Sequence, residues 1–138
     1  MRKQSLTLLV FSFAFTSLSH ANSNALHGIW AMVPLKSGIA NVVEFTADTA
    51  TVHSFECYAQ GQSDSSADPE TTQYSLSDQT IALNADGQPV GTLEIKALSA
   101  TELTLFQAID GMPNGGSSFT YRKATEVKPL CDLYQEPS

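Results

Sequence analysis

VGTLEIKALSATELTLFQA, residues 90–108, alternates apolar and polar side chains on both sides of one short break. Successive side chains of an extended strand point to opposite faces. Leu93, Ile95 and Ala97 therefore share one face, and Thr92, Glu94 and Lys96 the other. The next run repeats the logic, with Leu103 and Leu105 set against Glu102 and Thr104. Phe106 breaks the pattern by falling on the polar face. A period of two in both runs predicts antiparallel strands in a sheet that is wet on one side.

Outward from this pair, six more strand-like runs are divided by turn signals. They are Gly28 to Val33, Asn41 to Thr46, Ala50 to Tyr58, Thr71 to Leu76, Thr80 to Asn84 and Ser118 to Lys123. Asp86-Gly87 is a strong turn dipeptide before Val90, and Asp110 to Gly116 is a glycine-rich hairpin loop. The polar segment Ala59 to Glu70 cannot bury apolar surface and is expected as an exposed loop. Helical periodicity is weak everywhere after residue 21. Eight short strands with mostly hairpin-length links predict an all-β fold, an eight-stranded antiparallel up-and-down barrel. Closure removes the exposed edges an open sheet would present. A two-sheet sandwich is the rival, because the same alternation serves both.

Leu26-His27-Gly28-Ile29-Trp30 reads L-x-G-x-W at the head of the first run. Val43-Glu44-Phe45-Thr46 and a turn follow, and Phe119-Thr120-Tyr121-Arg122-Lys123 closes the last run. This layout resembles small bacterial lipocalin-like barrels over most of the chain after residue 21. The resemblance implies that Trp30 sits at the barrel base against a basic residue of the final strand, Arg122 or Lys123. The same features are similar to bacterial metalloprotease-inhibitor barrels, which are exported, carry one disulfide and insert an N-terminal segment into a protease. Asn22 to Leu26 would be that segment here.

The chain's first 21 residues read as an export signal: Met1-Arg2-Lys3, an apolar stretch to Leu18, then Ser19-His20-Ala21 before the cut. Leu6 to Leu18 is shorter than the roughly 18–20 residues that span a bilayer, so no membrane span is expected. Cleavage after Ala21 would leave a barrel domain at residues 22–125 and a tail at 126–138, periplasmic or secreted. It would also remove Arg2 and Lys3 but no acid, taking the formal charge from −7 to −9. Nucleic acid is disfavoured as a partner, because phosphates would be repelled and no basic patch exists. In an oxidising compartment Cys57 and Cys131 are expected to pair, tying the tail to the body of the domain.

Catalytic chemistry finds little footing. No G-x-S-x-G or H-E-x-x-H occurs, and Asp110 to Gly116 lacks the Lys-Ser or Lys-Thr of a phosphate cradle. His53 and Cys57 would lie about 13 Å apart along one strand, too far to pair. Asp64, Asp68 and Glu70 lack the order of a calcium-binding loop. No catalytic residue, metal or cofactor is expected. Trp30, Phe45, Phe55, Tyr74, Phe119 and Tyr121 are the candidates to line an apolar pocket. Asp64, Asp68, Glu70, Tyr58 and Phe106 are candidates to meet a protein partner. The expectation is a monomeric, non-enzymatic binding protein for a small hydrophobic ligand. The alternative is an inhibitor or immunity-type protein that neutralises a protease or toxin.

Overall fold

The computed structural model describes residues 23–137, so the expected signal peptide and Asn22 lie outside the described residues. The wall is built from β1 (Gly28–Met32), β2 (Val42–Phe45), β3 (Thr49–His53), β6 (Glu70–Ser77), β7 (Thr80–Ala85), β8 (Gln88–Leu98), β9 (Glu102–Ala108) and β10 (Gly116–Ala124). These eight strands form one closed antiparallel barrel, in which β1 pairs with both β2 and β10. The sandwich alternative is thereby excluded. Neighbours in the wall are successive strands of the chain except at the closing pair β1 and β10 and at β3 and β6, which pair across an excursion.

That excursion splits the expected third strand. Val52 still pairs with Glu70, but the chain leaves the wall at Ser54, and β4 (Phe55–Cys57) pairs with β5 (Ser63–Ser65) instead. The polar segment expected as a plain loop therefore contains a strand. Short backbone hydrogen bonds hold this ribbon beside the β1–β2 link, Cys57 N–H donating to Gly38 O at 2.7 Å and Ala40 N–H to Phe55 O at 3.0 Å. Cys57 is bonded to Cys131, joining the ribbon to the C-terminal tail. Ala40, Cys57 and Cys131 form a small buried cluster under Tyr134, separate from the barrel core.

Register decides which side chains enter the barrel. Trp30 pairs with Val43 and with Lys123, and Leu105 pairs with Phe119 and with Ile95, so these rows face inward. β8 carries two irregularities. Leu83 pairs with Gly91 and Asn84 with Pro89, leaving Val90 without a β7 partner. Ile95 pairs with Leu105 and Ala97 with Thr104, leaving Lys96 without a β9 partner. The second bulge reverses the alternation: Ala97 is exposed, and Leu98 packs against the core instead. Bulges bend a strand and raise its twist, which assists closure of a small barrel. Asp86 and Gly87 both have positive φ in the two-residue β7–β8 link, as a type I′ turn demands.

Candidate ligand-binding site

The strands place two unlike ends on the barrel. At one end lie the β2–β3, β6–β7 and β8–β9 turns and the short helix α1 (Ser23–Leu26). Leu26 is fully buried in the core, and the Trp30 indole N–H donates to its carbonyl oxygen at 2.8 Å. The Lys123 ammonium donates to the His27 carbonyl and lies 4.5 Å from the centre of the Trp30 ring. Of the two basic residues expected there, Lys123 is the partner, while register turns Arg122 outward. The Tyr74 hydroxyl donates to Thr46 O at 2.6 Å, and its ring meets Phe45 edge-on at 5.3 Å. These contacts make a closed floor.

The opposite end is open. Above the floor is a cavity of about 540 Å³, within the roughly 300–1,000 Å³ of small-molecule sites. Its wall is mainly apolar, with Met32, Val43, Phe45, Leu83, Leu105 and Phe119 among the lining groups. Tyr121 also lines it, and burial pushes this phenol up to about 12. Near the mouth the lining becomes mixed: Asn41, Glu70, Thr72 and Gln107 stand beside Ile39 and Val90. Ile39 is 44% exposed and Val90 56%, and Met112 on the β9–β10 loop is 40% exposed. The rim thus presents apolar side chains to solvent rather than folding them in.

The six aromatic residues expected in a pocket divide into three groups. Phe45, Phe119 and Tyr121 line the cavity. Trp30 and Tyr74 are buried in the core that supports it. Phe55 travels with β4 into the ribbon and is not part of the lining. The physical cause is the break at Ser54, which takes residues 55–57 out of the barrel register. Non-aromatic residues such as Met32 and Leu83 complete the lining, although aromatic character does not single them out. Their inward alternation was the available signal.

The residues expected to face a partner are also scattered. Asp64 and Asp68 are exposed on the excursion, and Glu56 stands directly opposite Asp64 in the ribbon. Tyr58 is exposed beside them, and the charge of Glu56, with smaller effects from burial and Asp64, raises its hydroxyl pKa. Phe106 lies on the outer wall, half-buried, with the Lys96 ammonium 5.4 Å from its ring centre. It leans across Gly116, where a Cβ would come within 2.7 Å of its ring. Glu70 alone of this set lines the cavity.

Elsewhere, Arg122, Lys123 and Lys128 share a polar surface groove with Glu126 and Asp132, between β10 and the tail. His53 Nε2 is shielded from solvent and lies 3.9 Å from Glu44 Oε2 on the outer wall. Among the described residues, no group of His, Cys, Asp and Glu is arranged to hold a metal ion. No helix among them is long and apolar enough to cross a membrane. Comparison with protein-family models, curated proteins and solved structures finds no match to this chain.

Proposed function

We propose that this chain is an exported binding protein that holds a small hydrophobic ligand inside the barrel. The observation that carries the reading is the cavity of about 540 Å³, apolar along its wall, closed below and open above. Burying an apolar ligand there removes both its surface and the wall from water, at roughly 25 cal/mol per Å² before the costs of association. The Cys57–Cys131 bond supports export, since disulfides persist in oxidising compartments.

Uptake of the neutral fluorescent probe N-phenyl-1-naphthylamine tests the reading. Leu83→Trp puts a larger ring into the cavity wall and should reduce probe binding at least several-fold while circular dichroism stays β-rich. Equal uptake by the variant and the parent overturns the proposal.

A second reading, a protein-directed inhibitor, draws support from the ribbon. Glu56 and Asp64 are like charges directly opposite each other, an arrangement that costs stability unless a cation approaches. Native mass spectrometry of protein taken gently from its own cells separates the two readings. A small-molecule adduct favours the ligand barrel, and a stoichiometric protein complex favours the inhibitor. The buried position of Leu26 bears on the form of any inhibitor, because the segment ending there is committed to the barrel floor.

A further inference from the structure

Among the described residues, the cavity has one charged wall residue, and it sits at the mouth. Glu70 opens β6, pairs with Val52, and faces the same way as Thr72 and Tyr74 in the inward register. It is exposed, and among the described residues its carboxylate has no side-chain hydrogen bond or ion pair. No lysine, arginine or histidine among the described residues lines the cavity. Lys123 is engaged with Trp30 and the His27 carbonyl at the floor. Lys36 lies on the β1–β2 link at the mouth end but is not part of the lining.

We propose that the ligand is a cationic amphiphile, an apolar chain ended by an ammonium group. The chain occupies the barrel, and the ammonium donates to Glu70 at the mouth. This assignment rests on the ligand-barrel reading and gives it a chemical class. A charge-assisted hydrogen bond is shorter and stronger than a neutral one, so Glu70 favours an ammonium over a hydroxyl. A fatty-acid carboxylate would meet Glu70 as a like charge, with no base among the described lining residues to neutralise it. Asn41 and Gln107, both in the lining, offer side-chain amide oxygens as further acceptors for ammonium protons. Asp86 and Asp110, on the other mouth links, strengthen the negative field through which a cation enters.

Displacement of the neutral probe by dodecylamine, dodecanol and dodecanoate, each below its micellar concentration or solubility limit at pH 7, tests the assignment. The amine should bind about tenfold more tightly than the alcohol, equivalent to about 1.4 kcal/mol, and the carboxylate more weakly than either. Glu70→Gln should bring the amine down to the alcohol. Glu126→Gln, in the outer groove, removes the same charge far from the mouth and should preserve the preference. Equal binding of the three probes, or a preference that survives Glu70→Gln or is lost equally in Glu126→Gln, overturns the assignment while the ligand barrel stands. Failure of all three to displace bound probe from the unsubstituted protein overturns the assignment by removing amphiphile binding itself. Failure of the probe to enter at all removes the ligand barrel with it.

Discussion

Gly28, Trp30 and Lys123 show how the head of the first strand is tied to the end of the last, the Lys123–His27 hydrogen bond spanning 96 residues. Gly28 has φ of +122°, a conformation L side chains rarely adopt, and a Cβ there would collide with the Lys123 ammonium. Glycine leaves the lysine room to reach across to the His27 carbonyl and cover the indole. Gly28→Ala should therefore cost about 1–3 kcal/mol, the usual range for a strained backbone residue. Lys123→Met keeps an apolar stem over Trp30 but loses the cation–π contact and the charged hydrogen bond. Its cost should be about 1–2 kcal/mol. The pair should cost less than the two singles added, because the collision disappears with the ammonium. Urea unfolding followed by emission of Trp30, the chain's one tryptophan, checks all three. Strict additivity would show that the collision is absorbed by lysine motion. The L-x-G-x-W pattern was visible in the sequence, whereas the positive φ and the contact with Lys123 needed the barrel to close.

The elements were legible where alternation is uninterrupted and illegible where the register shifts. Thr101 to Ala108 reads correctly by counting, because β9 pairs without a slip along β10. Counting fails in β8 at Lys96, since an extra residue carries no compositional mark and sends Ala97 outward. It fails again at Ser54, where a continuous Thr-, Val- and aromatic-rich run leaves the wall. The same effect separates Phe55 from Phe45, Phe119 and Tyr121 in the candidate site. In sequence Glu70 reads as an acid for a partner, and its pairing with Val52 shows that it faces the cavity. The Cys57–Cys131 pairing is the one intramolecular connectivity that two cysteines allow, but its role belongs to the ribbon. It fastens β4 to the tail across a separation of 74 residues. Chain-entropy reasoning for such a loop gives about 4 kcal/mol. Cys57→Ser with Cys131→Ser should lower unfolding stability by up to that amount. Hydrogen exchange at position 57, Tyr58 and Tyr134 should quicken while the β9–β10 ladder stays protected in the native state. If the ladder exchanges as fast as the ribbon, the bond holds the whole barrel rather than its flank.

At the scale of the whole molecule, charge and burial set how the protein responds to alkali. The chain is already at −7, so every phenol that ionises adds a like charge. Tyr121 is the phenol that matters most, since it is buried in the wall and its pKa is pushed up to about 12 from the usual 10. Tyr74 shifts in the same direction, first through burial and then through the charge of Asp48. A phenol with a raised folded pKa holds its proton more tightly in the native state than in the unfolded chain. Between pH 10 and 12 unfolding releases that proton, so stability falls as pH rises. The contribution is complete below pH 10, is lost progressively through about pH 12, and then levels off. A shift from 10 to about 12 corresponds to roughly 2–3 kcal/mol for Tyr121. Urea midpoints measured at pH 8, 10, 11 and 12 should be steady at first and then drop. Tyr121→Phe removes the group and should flatten that drop, although it forfeits no stability at pH 8 through ionisation. An unchanged slope in Tyr121→Phe would mean that the hydroxyl reaches water through the open mouth. The phenol would then ionise in the native barrel as readily as in the unfolded chain.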